Sequence, residues 1–111
     1  MIYKMIQKFA SVKPTTPATP AKRLLASASE DKAFFVHGGG VLRNLKDLRN
    51  ALQTMSKEVF AYHVNKERND FATWVDDVFS ERDLSKRINQ LKTRGSALNA
   101  VTEYLREVYS L

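Results

Sequence analysis

The run Asn69-Asp70-Phe71-Ala72-Thr73-Trp74-Val75-Asp76-Asp77-Val78-Phe79 decides how this chain folds. Its apolar residues Phe71, Trp74, Val75, Val78 and Phe79 recur at i, i+3, i+4, i+7 and i+8, the period of one helix face, while Asp76 and Asp77 face away. Asn69 or Asp70 supplies the short polar side chain that caps a helix N-terminus. The spacing predicts a helix that forms the hub of the core.

Working outward, Ser80 followed by Asp83 has the pattern of a capping box, which starts another helix with Leu84, Ile88 and Leu91 inward and Gly95 as its stop after Arg94. A last helix carries Leu98, Val101, Leu105 and Val108 on one stripe, with Glu103 and Glu107 on a polar flank. Upstream, Ser56 can cap a short helix through Val64 that buries Val59 and Phe60, although the alternation of Phe60, Tyr62 and Val64 also permits a strand. Asn44 precedes Leu45, Leu48, Leu52 and Met55, with Asp47 three residues after the cap, so a helix is expected there too. Ahead of it, the apolar run Ala33 to Val36, then His37 and Gly38-Gly39-Gly40, then Val41-Leu42, reads as a short hairpin or extended turn. The fold class is therefore mainly α: four to five short helices behind a short N-terminal β-hairpin or extended segment, in one domain over residues 32–111.

Residues 1–31 read as a flexible basic arm. Ile2, Met5, Ile6 and Phe9 have the spacing of a short amphipathic helix over residues 2–10, which alone would be marginal in water. Pro14, Pro17 and Pro20 then break up a stretch rich in Thr, Ala and Ser, which is a linker. Of the net charge of +6, residues 1–32 hold +4, from six Lys/Arg against two acids, and residues 33–111 hold +2, from twelve against ten. A basic arm on a near-neutral body points to an anionic partner surface, or simply to a soluble tail.

Composition closes several routes. With no cysteine in 111 residues there is no disulfide, zinc finger, iron–sulfur cluster or thiol nucleophile, and a cytoplasmic location is expected. No apolar run approaches the roughly 20 residues that span a bilayer, so no transmembrane segment is expected. His37-Gly38-Gly39-Gly40 mimics the oxyanion-hole glycines of esterases, but no G-x-S-x-G accompanies it, so a glycine turn is the expected role. Neither His37 nor His63 has a second histidine at i+3 or i+4, so neither a metal site nor any other cofactor is expected. The acids Asp70, Asp76, Asp77, Glu81 and Asp83 read as a solvated helix face rather than as a Mg²⁺ site.

His63, Asn69, Asp70 and Trp74 form the most distinctive polar and aromatic group. A cap at the start of the hub helix brings His63 close enough for a hydrogen bond, which reads as a structural lock between loop and helix. Lys86, Arg87, Lys92 and Arg94 have no acid among them and form a candidate phosphate-binding patch, to which Lys13, Lys22 and Arg23 of the arm would add; cations at a helix C-terminus also suit the helix dipole.

Phe60-x-x-His63-Val64 followed by N-D-F-x-x-W-V-x-D-V at residues 69–78 resembles the signature of a small prokaryotic family of unknown function. The resemblance covers roughly residues 33–91 and includes Asn69, Asp70, Phe71 and Trp74. It implies a short cytoplasmic domain found mainly in archaea and bacteria, and no activity, ligand or catalytic residue. The function expected from these readings is a non-catalytic binding or adaptor module that docks a protein partner through Ile2, Met5, Ile6 and Phe9. The alternative is a nucleic-acid-associated accessory protein on chromatin or the ribosome that contacts phosphates non-specifically through the basic residues named above.

Overall fold

A computed structural model describes residues 24–111. Ile2, Met5, Ile6, Phe9, Lys13, Lys22 and Arg23, and with them the helix expected over residues 2–10, lie outside the described residues. A 3-10 turn, Glu30–Lys32, leads into an antiparallel hairpin of β1 (Phe34–Phe35) and β2 (Val41–Leu42), in which Phe34 pairs with Leu42 and Phe35 with Val41. Five helices follow: α1 (Leu45–Thr54), α2 (Lys57–His63), α3 (Asp70–Phe79), α4 (Arg82–Asn89) and α5 (Arg94–Tyr104), the last continued by a π turn, Leu105–Tyr109. The mainly helical class with a short leading hairpin is thus what the chain adopts.

Three of the helices begin at the residues their caps predict. The Asn44 side chain accepts from the Asp47 amide, Ser56 from Val59 and Asn69 from Ala72. At α1 the reciprocal bond falls one residue early, because the Asp47 carboxylate accepts from the Arg43 amide instead of that of Asn44. Behind the Ser56 cap, Lys57–His63 is helix rather than strand. Phe60, His63 and Val64 are buried at i, i+3 and i+4, Tyr62 points outward, and Val64 turns extended to make one bridge with Asn69.

Helices of seven to eleven residues are marginal alone, so burial must hold them. Leu45, Leu48 and Leu52 of α1 are fully buried, and each contributes about 1.5–3 kcal/mol relative to exposure. Helix α1 packs on α5, α5 on α4 and α4 on α3, so the core is continuous from Leu48 through Val101 and Leu84 to Val75. Trp74, Phe71 and Phe34 close it at the hairpin end. Residues 24–31, read from the sequence as part of the arm, include Leu25 and Ala28, which pack against this core, and the Ala28 amide donates to the Arg43 carbonyl.

Two local expectations are corrected. Ser80 does not cap α4. It ends α3 in the left-handed region, at φ 56°, with its amide on the Asp76 carbonyl, and Glu81 precedes α4 without any side-chain cap. Gly95 does not stop α4, which ends at Asn89; the Thr93 hydroxyl accepts from the Ser96 amide and starts α5 there, leaving Gly95 in its first turn. The stripe on the last helix faces the core as expected, and the π turn extends it. Val101 and Leu105 are buried, but Leu98 and Val108 are only half-buried, and the π turn brings Tyr109 onto the buried face with Tyr104.

Candidate functional site

The hairpin and the hub helix meet at His63. It is the last residue of α2, Asp70 is the first of α3, and the Val64–Asn69 bridge closes the connection between them. This places His63 Nδ1 3.0 Å from an Asp70 carboxylate oxygen. The other ring nitrogen, Nε2, accepts from the His37 backbone amide at 3.1 Å, across 26 residues. With Nε2 as an acceptor, the tautomer this hydrogen-bond pattern assigns has Nδ1–H donating to Asp70. Arg68 bonds the same carboxylate through Nε at 3.2 Å.

With both nitrogens engaged and only 4 % of the residue exposed, His63 has no free atom to take a proton from a ligand. Its two hydrogen bonds join the hairpin turn to the start of α3. The grip is completed by Phe34, whose ring lies 5.0 Å from those of His63 and Phe71 and 5.6 Å from that of Trp74, and by the Trp74 indole N–H donating to the Lys32 carbonyl at 2.8 Å. Asn69 both caps α3 and donates to the Ile88 carbonyl, tying the hub to α4. His63→Ala is therefore expected to release the turn at His37 at a cost of about 1–3 kcal/mol. Loss of hydrogen-exchange protection at the His37 amide, with the amides of α1 still protected, is the measurement.

Alternation sends the next side chains the other way. Phe35 and Val41, directly paired across the strands, are 67 % and 40 % exposed. Beside them the His37 ring stacks on Tyr62 at 3.8 Å and 12°, and the Arg68 guanidinium lies 5.2 Å from the Tyr62 ring. The turn itself needs its glycines, since Gly38, Gly39 and Gly40 hold φ of 89°, 131° and 102°, values that L side chains rarely adopt. Between this turn and α1 lies a groove of about 390 Å³, lined by Val36, Val41, Asn50, Thr54, Met55 and Val59 among others.

The model of the family of unknown function DUF5752 matches residues 2–110. The chain belongs to that family. No curated protein and no solved structure matches it. The DUF5752 match takes in both the segment before residue 33 and the last helix, beyond the span of the resemblance read from the signature.

In this DUF5752 chain the basic run of α4 and α5 is not four free cations. Arg94 Nη1 donates to the Leu52 carbonyl at 2.6 Å and so closes the C-terminal end of α1. Arg87 lies 3.8 Å from a Glu107 carboxylate oxygen and 5.6 Å from the Tyr104 ring centroid. Lys86 and Lys92 are exposed, with no ion pair among the described residues.

Glu81, expected on a solvated helix face, instead belongs to a second, buried polar cluster. Glu81, 6 % exposed, accepts hydrogen bonds from the hydroxyls of Tyr104 and Tyr109, one on each carboxylate oxygen. A spacing of five between the tyrosines fits no α-helical face; only the π turn aligns them. The outward direction of Phe35 had a signal that reading the run as merely apolar passed over, since adjacent residues of a strand face opposite sides.

Proposed function

We propose that this chain is a non-catalytic binding module of the cytoplasm that docks a protein partner, with the segment of Ile2, Met5, Ile6 and Phe9 as its docking element. The observation that carries the reading in the folded body is the cross-strand pair Phe35 and Val41, an apolar face turned to solvent on a hairpin whose other face is clamped by His63, Phe71 and Trp74. Single exposed apolar residues are ordinary, but a pair on a fixed, pre-ordered element loses little conformational freedom on binding. The arm would order on the partner while the hairpin face supplies a rigid contact. The lack of cysteine suits the cytoplasm, and no helix among the described residues is long and apolar enough to cross a membrane.

Deleting residues 1–12 is expected to abolish co-purification of the partner, and Phe35→Ser with Val41→Ser to weaken it. Retention of the partner at full yield by the truncated chain sinks the proposal. Nucleic-acid association is less well supported, because Arg87 of the expected patch is paired with Glu107 within the fold. If phosphates were the ligand, retardation of nucleic acid would be strong at ~50 mM salt and nearly lost at ~200 mM.

A further inference from the structure

We propose that a cleft between α2 and the start of α5 binds a small organic anion with an apolar body, an alkyl carboxylate or phosphate monoester. The cleft is about 340 Å³, at the lower end of the range of small-molecule sites, and it shares no lining residue with the groove under the hairpin. Phe60, Ala61 and Val64 of α2 and its C-cap supply an apolar wall, and Lys57, Lys92 and Arg94 supply the charge. No carboxylate of the described residues lines it.

The charge is uncompensated. Lys57 and Lys92 are exposed and pair with no acid among the described residues, and the chain has no acid before Glu30. Arg94 is fixed by its Nη1 bonds to the carbonyls of Leu52 and Gln53, which hold its side chain in place and leave its other N–H groups without a partner among the described residues. Two exposed ammonium groups and one anchored guanidinium beside an apolar wall match a ligand with an anionic head and a hydrocarbon or aryl body. A simple inorganic anion would leave the wall unused, and a neutral lipid would leave the cations unused.

The test uses octanoate, octyl phosphate and octylammonium titrated into the full chain while backbone amide resonances are followed. Saturable shifts confined to residues 57–64 and 92–95 with either anion, absent with octylammonium, are expected. Lys57→Gln with Lys92→Gln, both exposed and so harmless to the fold, should weaken the anions by about tenfold or more. The tighter of the two anions identifies the headgroup. No saturable shift in those segments, equal binding of octylammonium, or unchanged affinity in the lysine variant would each overturn the assignment. None of these outcomes bears on the arm, so this site and the docking proposal fail separately.

Discussion

Trp74→Ala is expected to lower the free energy of unfolding by about 3–5 kcal/mol, the range for truncating a buried large aromatic. The effect has two parts. The indole packs edge-on against Phe34 at 5.6 Å and Phe79 at 5.1 Å, so its removal opens a void between the hairpin and the hub helix. Its N–H also holds the Lys32 carbonyl, the point where the chain enters β1. A body of this size has a net stability near the low end of ~5–15 kcal/mol, so the variant would be partly unfolded at room temperature. Trp74→Phe separates the parts: it keeps most of the packing, and since Lys32 is exposed its carbonyl can turn to water, so a loss of only about 1–2 kcal/mol is expected. Urea unfolding followed by far-UV circular dichroism gives both values, because the sole tryptophan is the residue replaced. A loss under ~1 kcal/mol for Trp74→Ala would contradict the placement of Trp74 at the centre of this end of the core.

The second large effect is expected at Glu81. Glu81→Leu leaves the Tyr104 and Tyr109 hydroxyls without their carboxylate acceptor in a buried setting, at a cost of about 2–4 kcal/mol. Glu81→Gln should lose less, since an amide oxygen still accepts from one hydroxyl and the amide N–H can donate to the other. The decisive measurement is the triple variant. Adding Tyr104→Phe and Tyr109→Phe to Glu81→Leu removes the stranded hydroxyls and should restore part of the lost stability, whereas the two tyrosine changes in the wild-type background should lower it. Additive losses in the triple variant would show that Glu81 and the tyrosines do not act as one unit.

These two sites differ in how far they could be read beforehand. Trp74 sits in a run whose apolar period is complete within eleven residues and whose cap, Asn69, adjoins it, so its burial follows from local pattern. Glu81 sits in a run of acids, and in sequence it is indistinguishable from its solvated neighbours Asp76, Asp77 and Asp83. What buries it is the left-handed turn at Ser80, which redirects the chain after α3, together with the π turn that aligns two tyrosines 23 and 28 residues away. The His63–Asp70 bond was legible, because the cap at Asn69 brings the two residues together locally. The bond from His37 to the other face of the same ring was not.

Although residues 56–64 stayed open between helix and strand, the mainly helical class, the core faces of α1 and α3, the caps at Asn44, Ser56 and Asn69, and the glycine turn of the hairpin were legible in the sequence. All of these depend on interactions within a few residues, where helical period, side-chain capping and the conformational freedom of glycine dominate. Only the packed fold sets the Arg94 side chain at the end of α1, where its Nη1 bonds the Leu52 carbonyl. It also decided that a buried carboxylate links α4 to the last turn. Each of these rests on contacts between elements far apart in the chain, and only packing the α1–α5 and α3–α4 pairs around one core brings those groups together.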